Sequence, residues 1–409
     1  MKLNRLLKRI GPGFITGAAD DDPSGIATYS QTGAQFGYGQ LWTALFSFPF
    51  MAVVQEMCGR IGLVAREGLS ATIRAHYARP VLAAAILLLT VANILNIGAD
   101  LGAMAAAAQL VFGLPAALWL VGLTALTLLL EIFISYPRYA KFLKYLTLSL
   151  FAYVATAFVV KQDWSEIALS TFIPSFVWSK TYVMNVVAIL GTTISPYLFF
   201  WQADEEVEEE IAAHRKRVTR KDIFGMRLDT VAGMFFSNLV MFFIIMTVAS
   251  TLHANGVTTI DTAAQAAEAL RPIAGDFAFL LFALGIVGTG MLAVPILAGS
   301  ASYAVAEAVG WNGGLYRKFR EARGFYGVII AATLVGLLFN FLDIPPFKLL
   351  YQTAVLNGLA APPLLVMILL VANNKKIMGS HANGWFSNLA GWTIAAIMAA
   401  AGIALIAWS

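Results

Sequence analysis

The sequence is poor in charge, and this scarcity narrows the class of protein. Asp, Glu, Lys and Arg make up 12% of the 409 residues, whereas 59% are hydrophobic. Soluble domains average about 25% charged residues and about 45–50% apolar ones. A chain this apolar cannot cover itself with polar surface, which excludes a soluble helical enzyme. The net charge of +4 is too small to indicate a nucleic-acid partner.

Cysteine and histidine are also scarce. Cys58 is the single cysteine, so the chain can form no intramolecular disulfide and no thiolate metal cluster. Two of the four histidines, His76 and His214, lie in basic stretches that we interpret as loops or helix ends. No nucleophile–base pair and no cofactor motif is visible. The sequence therefore predicts a protein that is not an enzyme and needs no cofactor.

Long apolar runs take the place of charge. Runs of about 18 or more apolar residues can cross a hydrocarbon core about 30 Å thick. They predict an all-α integral membrane protein with about eleven transmembrane helices. The predicted spans are 13–35, 40–63, 81–111, 116–134, 143–160, 182–211, 227–252, 276–309, 325–342, 347–371 and 386–408. Spans 81–111 and 276–309 exceed the length a bilayer needs, so we expect them to tilt or protrude.

Basic residues alternate from loop to loop, which predicts the orientation. The N-terminus and every second loop are rich in lysine and arginine, and the loops between them are poor in both. The basic segments are 2–9, 60–79, 138–144, 214–221, 317–323 and 375–376. We therefore expect the N-terminus in the cytoplasm and, with an odd number of spans, the C-terminus outside. The membrane is expected to be a prokaryotic plasma membrane.

Two predicted spans are interrupted. Pro23 and Gly25 break the first near its middle, and Pro196 breaks the sixth, because proline removes a backbone hydrogen bond and clashes with the preceding turn. Breaks five spans apart relate spans 1–5 to spans 6–10 by inversion, and paired interruptions indicate a transporter's binding site. We predict one transporter domain over 1–409, with repeats at about 13–160 and 182–371 and an extra helix at about 386–408.

Three consecutive carboxylates precede the first break: Asp20, Asp21 and Asp22. Each aspartate at a helix centre costs about 2.5–3.5 kcal/mol to insert, so a cation, water or hydrogen bonds must compensate them. Consecutive residues cannot all face one site. Asp22, next to Pro23, is the strongest candidate ligand for a hard cation, with Asp21 as a possible second ligand and Asp20 on the pathway.

The second break offers neutral oxygens, from Thr192, Thr193, Ser195 and the carbonyl groups that Pro196 frees. These hydroxyls either ligate an ion or satisfy the broken backbone, and both roles can hold together. Gln352 and Asn357 in the tenth span either face the ion or join helices to each other. The absence of cysteine, histidine and methionine around the break removes the soft ligands that favour transition metals.

These residues resemble the NRAMP divalent metal transporters. The likeness lies in Gly-Pro-Gly-Phe at 11–14, in Asp22-Pro23-Ser24-Gly25, in the glycines and Trp42 of 37–42, and in Phe-Gly-Leu-Pro at 112–115. It extends over most of the chain. The resemblance implies the five-plus-five inverted repeat of the amino-acid-transporter-like (LeuT-type) fold, with a metal site between the broken helices 1 and 6.

The sequence also departs from the family pattern. The family's asparagine ligand falls at Gly25, its sixth-helix methionine at Ser195, and its two histidines at Tyr197 and Gln202. Of two acidic residues in the third helix, ungapped matching keeps one as Asp100 and places Ile97 at the other. A roomy site of oxygen ligands suits a partly hydrated Mg2+, so the chain resembles the NRAMP-related magnesium transporters that lack the methionine.

The remaining acidic residues have structural and functional interpretations. The run Asp204–Glu210, followed by a basic run, is either a solvated helical extension or an acidic vestibule that attracts cations. Glu56, Glu131 and Asp229 are expected to pair with arginines at the cytoplasmic interface, with a role in a relay as the alternative.

The sequence thus predicts a carrier of Mg2+, and of Mn2+, that works by alternating access without obligatory proton coupling. Its predicted partners are the divalent ion and the lipid bilayer. The nearest alternative is a proton-coupled importer of Mn2+ and Fe2+. A transporter of an organic substrate such as an amino acid, on the same fold, is the other, because fold does not fix function.

Overall fold

A computed structural model describes residues 11–134, 147–214, 217–342 and 344–408. Throughout these residues the regular structure is helical. The α-helices are α1 (Pro12–Asp20), α2 (Pro23–Phe36), α3 (Trp42–Ala65), α4 (Leu69–His76), α5 (Arg79–Phe112), α6 (Ala116–Phe133), α7 (Phe151–Val159), α8 (Trp164–Phe172), α9 (Lys180–Thr193), α10 (Pro196–Ala212), α11 (Arg220–Thr251), α12 (Ala263–Glu268), α13 (Arg271–Ala274), α14 (Ala278–Val309), α15 (Arg323–Leu338), α16 (Pro346–Asn373), α17 (Lys375–Met378) and α18 (Trp385–Ala407).

Nine helical segments within the described ranges are long and apolar enough to cross a membrane. The first predicted span is missing from this set because its halves, α1 and α2, have 9 and 14 residues. The fifth is represented by the short apolar helix Leu148–Val159. The start of predicted span 143–160 lies outside the described residues, as do basic residues 2–9, 138–144, Arg215 and Lys216. Each of the eleven predicted spans therefore has a helical counterpart.

Both predicted breaks are present. α1 ends at Asp20 and α2 begins at Pro23, with Asp22 as the N-cap. α9 ends at Thr193 and α10 begins at Pro196, with Ser195 as the N-cap. Each proline occupies the first position of its second half-helix, where its missing N–H group costs no helical hydrogen bond. Each break therefore lies at a proline that directly follows a polar N-cap residue.

The broken sixth span lies at the centre of the molecule and α6 lies at its edge. In the most apolar stretch of Lys180–Ala212, 89% of the residues are buried, against 28% in that of Ala116–Phe133. The long helix α5 has 34 residues, about 50 Å at about 1.5 Å per residue, so it exceeds the hydrocarbon thickness as expected. It packs against α14 and α16. Its middle turns lie beside the break in the first span.

α1 packs very closely on α11. A Cβ atom at Gly233 would lie 2.3 Å from the carbonyl oxygen of Gly13, so a larger residue there would push the helices apart. Asp229 on α11 accepts hydrogen bonds from the backbone N–H groups of Gly11 (3.0 Å) and Phe14 (3.1 Å). This carboxylate therefore caps the N-terminus of α1, and its expected pair with an arginine stays a prediction, since basic residues 2–9 lie outside the described residues.

Glu56 and Glu131, which were also expected to pair with arginines, have different surroundings. Glu56 pairs as expected, with Arg60 at 2.9 Å and with Arg227 at 2.7 Å. Glu131 is buried on α6, and neither carboxylate oxygen has a hydrogen-bond partner among the described residues. The pairing prediction is confirmed for Glu56 alone.

Candidate metal site

Asp22 lies where the two broken helices meet α5. Its Oδ1 accepts hydrogen bonds from the Ser24 hydroxyl (2.6 Å) and the Gly25 N–H (2.7 Å), as an N-cap residue does. Its Oδ2 accepts from Asn96 Nδ2 of α5 (3.1 Å) and from the Tyr197 hydroxyl of α10 (3.3 Å). The local turn therefore fixes one oxygen, and the other faces side chains from two further spans.

Hydroxyl groups donate hydrogen bonds to the carbonyl oxygens that the two prolines leave without a partner. Pro23 cannot donate to the Ala19 carbonyl one turn earlier, and the Tyr197 hydroxyl lies 3.1 Å from that oxygen. Pro196 cannot donate to the Thr192 carbonyl, and Ser195 Oγ lies 2.7 Å from it. Ser195 thus performs the backbone role that the sequence left open. Because a hydroxyl donates one proton and keeps two lone pairs, the role does not use up its oxygen.

Asp20 and Asp21 turn away from Asp22, towards α11. The Ser237 hydroxyl lies 2.6 Å from Asp20 Oδ2 and 3.2 Å from Asp21 Oδ1. All three carboxylates are buried. The structure thus separates the triplet into Asp22 on one side and an Asp20–Asp21 pair on the other. Ser237 is a neighbour that the sequence analysis missed, since nothing local connects it to the triplet.

Gly25 and Thr192 face each other across the two breaks. A Cβ atom at Gly25 would lie 3.2 Å from Thr192 Oγ1 and 3.3 Å from the ring of Tyr29. The room expected at Gly25 is therefore filled by these two side chains. Thr192 Oγ1 is buried, and its hydroxyl interacts with that of Tyr29. Thr193 instead donates to the Ile189 carbonyl of its own helix at 2.9 Å.

The middle of α5 presents a polar face that the sequence analysis found only in part. Asp100 is fully buried, and its two oxygens have no hydrogen-bond partner in the described parts of the chain. Ile97 packs against α15, where a Cβ atom at Gly336 would lie 2.8 Å from it. Asn96, which holds Asp22, was missed. Its spacing of four residues from Asp100, on one helical face, is the signal that identifies it.

Gln202 lies away from Asp22, beside α3, where its Nε2 would be 3.3 Å from a Cβ atom at Gly59. It donates to Glu206 at 2.9 Å. Asp204, Glu206 and Glu210 of the acidic run are buried. The interpretation of this run as a solvated extension is therefore wrong at these three positions, because α10 is packed against neighbouring helices on both sides.

Another member of the acidic run, Glu208, ties α10 to the loop after α14. It accepts hydrogen bonds from the N–H groups of Leu315 (2.8 Å) and Tyr316 (3.1 Å), and from the Tyr303 hydroxyl. These contacts give this part of the run a structural role.

The two candidates in α16 differ in burial. Asn357 is buried, and its Nδ2 has no hydrogen-bond partner in the described ranges. Gln352 is exposed, one and a half turns earlier. The structure thus places Asn357 in the interior and leaves Gln352 at the surface.

The arrangement suits a hard cation held by few charges. No three Asp, Glu, His or Cys side chains in the described ranges converge as a metal cage. The recorded partners of Asp22 are hydroxyl, amide and backbone groups. One carboxylate among neutral oxygen donors is the ligand set that Mg2+ and similar ions accept together with retained water.

Comparisons with known proteins agree with this architecture. The profile of the natural resistance-associated macrophage protein-like (Nramp) family matches residues 13–408. The divalent metal cation transporter MntH of Klebsiella pneumoniae (strain 342) is 27% identical over 403 residues, which cover 96% of this chain and 92% of that protein.

Solved structures share the fold. A manganese transporter of Eremococcus coleocola, in complex with an aromatic bis-isothiourea substituted compound, has a TM-score of 0.76 and 17% identity, over 98% of this chain and 87% of that one. Mhp1, a nucleobase-cation-symport-1 family transporter, has a TM-score of 0.60 and 13% identity, over 98% and 92%. These matches confirm the predicted fold of inverted repeats with broken first and sixth helices. Since the family profile matches almost the whole chain, this protein belongs to the Nramp family.

Proposed function

We propose that this protein carries Mg2+, and also Mn2+, across a membrane by alternating access without obligatory proton coupling. Its relatives include MntH, named a divalent metal cation transporter, and a manganese transporter. None of these names describes an enzyme. The N-terminus is proposed to be cytoplasmic and the C-terminus external, as the basic loops indicate.

The observation that carries the choice of ion is the ligand chemistry at the two breaks. Asp22 is the carboxylate placed between the broken helices, and Ser195 stands where the resembling metal transporters carry a thioether. A thioether selects softer transition metals over Mg2+, so its replacement by a hydroxyl relaxes that selection. The proposed branch is therefore the NRAMP-related magnesium transporters.

Buried acidic groups favour one alternative. Asp20, Asp21 and Asp100 are all fully or almost fully buried near Asp22, and intramembrane carboxylates serve as proton relays in other transporters. A proton-coupled importer of Mn2+ and Fe2+ is therefore the second candidate. An amino-acid substrate is disfavoured, because its own carboxylate would approach Asp22 and its two neighbours.

The deciding experiment measures ion uptake into proteoliposomes, with Mg2+, Mn2+ and Ca2+ in competition. The variant Asp22→Asn keeps an oxygen that can accept the Gly25 N–H but removes the charge. We expect wild-type uptake of Mg2+ and Mn2+, and loss of both in Asp22→Asn. Near-normal Mg2+ uptake by the variant would contradict the assignment of Asp22.

A matched control removes a carboxylate with the same local role. Asp163 is exposed and caps α8 by accepting from the N–H groups of Ser165 (3.0 Å) and Glu166 (3.1 Å). Asp163→Asn should transport like the wild type. Equal loss in the two variants would indicate a general effect of losing a helix cap.

A further inference from the structure

The third span carries a line of polar side chains through its apolar middle. Asn93, Asn96 and Asp100 are spaced by three and four residues, so they share one face of α5. All three are buried, with exposures of 1%, 0% and 0%. Buried polar groups inside a membrane protein are costly unless they are paired or functional. The hydrogen-bond partners of the two asparagines therefore indicate what each of them does.

Asn93 and Asn96 have different partners. Asn93 donates to the Leu297 carbonyl (2.9 Å) and the Ser300 hydroxyl (2.7 Å), which ties α5 to α14. Asn96 donates to Asp22 Oδ2 at 3.1 Å. The Oδ1 atoms of Asn93 and Asn96 are both buried without a hydrogen-bond partner among the described residues, so the group to which each Nδ2 donates distinguishes the two. Asn93 therefore joins two helices, whereas the amide of Asn96 lies against Asp22 at the proposed ion site and has an unpaired oxygen there.

We propose that Asn96 is a ligand of the transported cation and supplies an amide oxygen from the third span. A cation that reaches Asp22 repels the N–H group that Asn96 now directs at Oδ2. Rotation about the terminal torsion of asparagine, which is broad and roughly two-fold, exchanges Nδ2 for Oδ1. This inference rests on the proposed transport of a divalent cation and names a ligand for it.

The distances suit a small cation. After that rotation Asn96 Oδ1 would stand where Nδ2 stands now, 3.1 Å from Asp22 Oδ2. Two adjacent oxygens around Mg2+ at about 2.0–2.1 Å are separated by about 2.9 Å in octahedral geometry. One ion can therefore be shared by the two side chains after a movement of a few tenths of an ångström.

Tyr197 completes the same corner of the site. Its hydroxyl lies 3.3 Å from Asp22 Oδ2 and 3.1 Å from the Ala19 carbonyl oxygen. The hydroxyl proton can stay on that carbonyl while a lone pair faces the ion. Position 25 has no side chain, and Thr192 and Tyr29 fill the space beside it. Asn96 of α5 therefore supplies the amide oxygen that Gly25 of the first span cannot.

A cadmium-binding experiment tests proximity without using transport. In Asn96→Cys a thiolate replaces the amide beside Asp22, and thiolates favour soft metals. We expect the calorimetric Cd2+ affinity of the purified variant to rise by about 10-fold to 100-fold, the scale that single groups have in metal sites. Adding Asp22→Ala to this variant should remove the gain. Cys58 is present in every variant and cancels in the comparison.

The matched control is Asn93→Cys, on the same face and equally buried. It should gain no Cd2+ affinity, because its side chain is turned to α14. An unchanged affinity in Asn96→Cys, or an equal gain in Asn93→Cys, would overturn the proposal. Thermal unfolding and size-exclusion elution show whether each variant is folded.

A transport experiment separates a ligand from a residue that only positions Asp22. Asn96→Ala removes the oxygen and the N–H group, whereas Asn96→Asp keeps an oxygen and removes the donor. A ligand role predicts that the KM for Mg2+ rises about 10-fold to 100-fold in Asn96→Ala and stays at or below the wild-type value in Asn96→Asp. An equal rise of KM in both variants would overturn it. Failure of the proposed function is distinguishable, since wild-type liposomes would then take up no Mg2+ whatever the Cd2+ result.

Discussion

At the scale of single residues, each break is a proline whose missing hydrogen bond is replaced by a hydroxyl. Ser195 serves the Thr192 carbonyl of its own helix, and Tyr197 serves the Ala19 carbonyl of the other broken helix. The two breaks are therefore linked by the hydrogen bond from Tyr197 of the sixth span to the Ala19 carbonyl of the first. A substitution at either hydroxyl acts on the backbone as well as on the ion.

Ser195→Met should shift ion preference towards Mn2+ and Cd2+ and away from Mg2+. A thioether is a poor ligand for Mg2+ and takes the space that a water ligand needs. The measurement is the ratio of apparent affinities for Mg2+ and Mn2+ in liposome uptake. An unchanged ratio in a folded variant would mean that Ser195 does not face the ion.

The neighbouring threonine supplies the control for this prediction. Thr193 donates its hydroxyl to the Ile189 carbonyl of its own helix. Thr193→Val should therefore leave the affinity ratio unchanged, although it removes a hydroxyl at an equally buried position.

At the scale of helices, the cap that Asp229 places on α1 has a measurable strength. Loss of a helix N-cap costs about 0.5–2 kcal/mol. In Asp229→Ala we expect amide hydrogen exchange in the first turn of α1 to accelerate by about 2-fold to 30-fold, the same free energy expressed as a rate. Exchange measured by mass spectrometry in detergent reports this change.

The control for the cap removes the corresponding residue of another helix. Asp163→Ala should accelerate exchange in α8 and leave α1 unchanged. If exchange in α1 stayed at the wild-type rate in Asp229→Ala, the packing of α1 on α11 would be sufficient without the cap.

The breaks were predictable from sequence because their cause is local. Pro23 and Pro196 located both breaks correctly because polar residues flank each of them, whereas Pro49 and Pro295 lie within continuous helices of apolar spans. Asp22 followed from its position beside one of them. The placement of Asp20 and Asp21 against Ser237 did not, since 216 or more residues separate these partners along the chain.

The errors of the sequence analysis arose where solvation depends on packing. Glu206 and Glu210 resemble solvated residues because charged runs are usually exposed, yet α10 buries them. The cap that Asp229 places on α1 was not predicted either, because 218 residues separate it from Gly11 along the chain. Asn96 was not predicted, because a neutral amide in an apolar span more often joins helices than faces an ion.

At the scale of the whole molecule, energy coupling depends on whether protons accompany the ion. Proton transfer through a membrane needs a series of titratable groups that lie one after another along the path. Tyr197 and Gln202 stand at the two positions where the resembling family has histidines, and Ile97 stands at one acidic position. Tyrosine has a reference pKa of about 10 and glutamine does not titrate. A continuous relay is therefore not expected.

We expect Mg2+ uptake to proceed without stoichiometric proton entry. Liposomes loaded with a pH-sensitive dye, driven by a Mg2+ gradient and clamped in membrane potential, provide the measurement. Internal acidification that scales with ion uptake under the clamp would contradict this prediction and favour the proton-coupled alternative, with Asp20, Asp21 and Asp100 as the first residues to neutralise.

The attachment of α1 to α11 at both ends has a mechanical consequence. Asp229 holds the first turn, Ser237 holds Asp20 at the last turn, and Gly233 allows backbone contact between them. A helix of nine residues that is held at both ends cannot rotate independently of the helix that holds it. We therefore expect α1 and the seventh span to travel as one rigid arm, with the fulcrum at the non-helical Asp21. Spin labels on these two helices would keep their separation throughout the transport cycle.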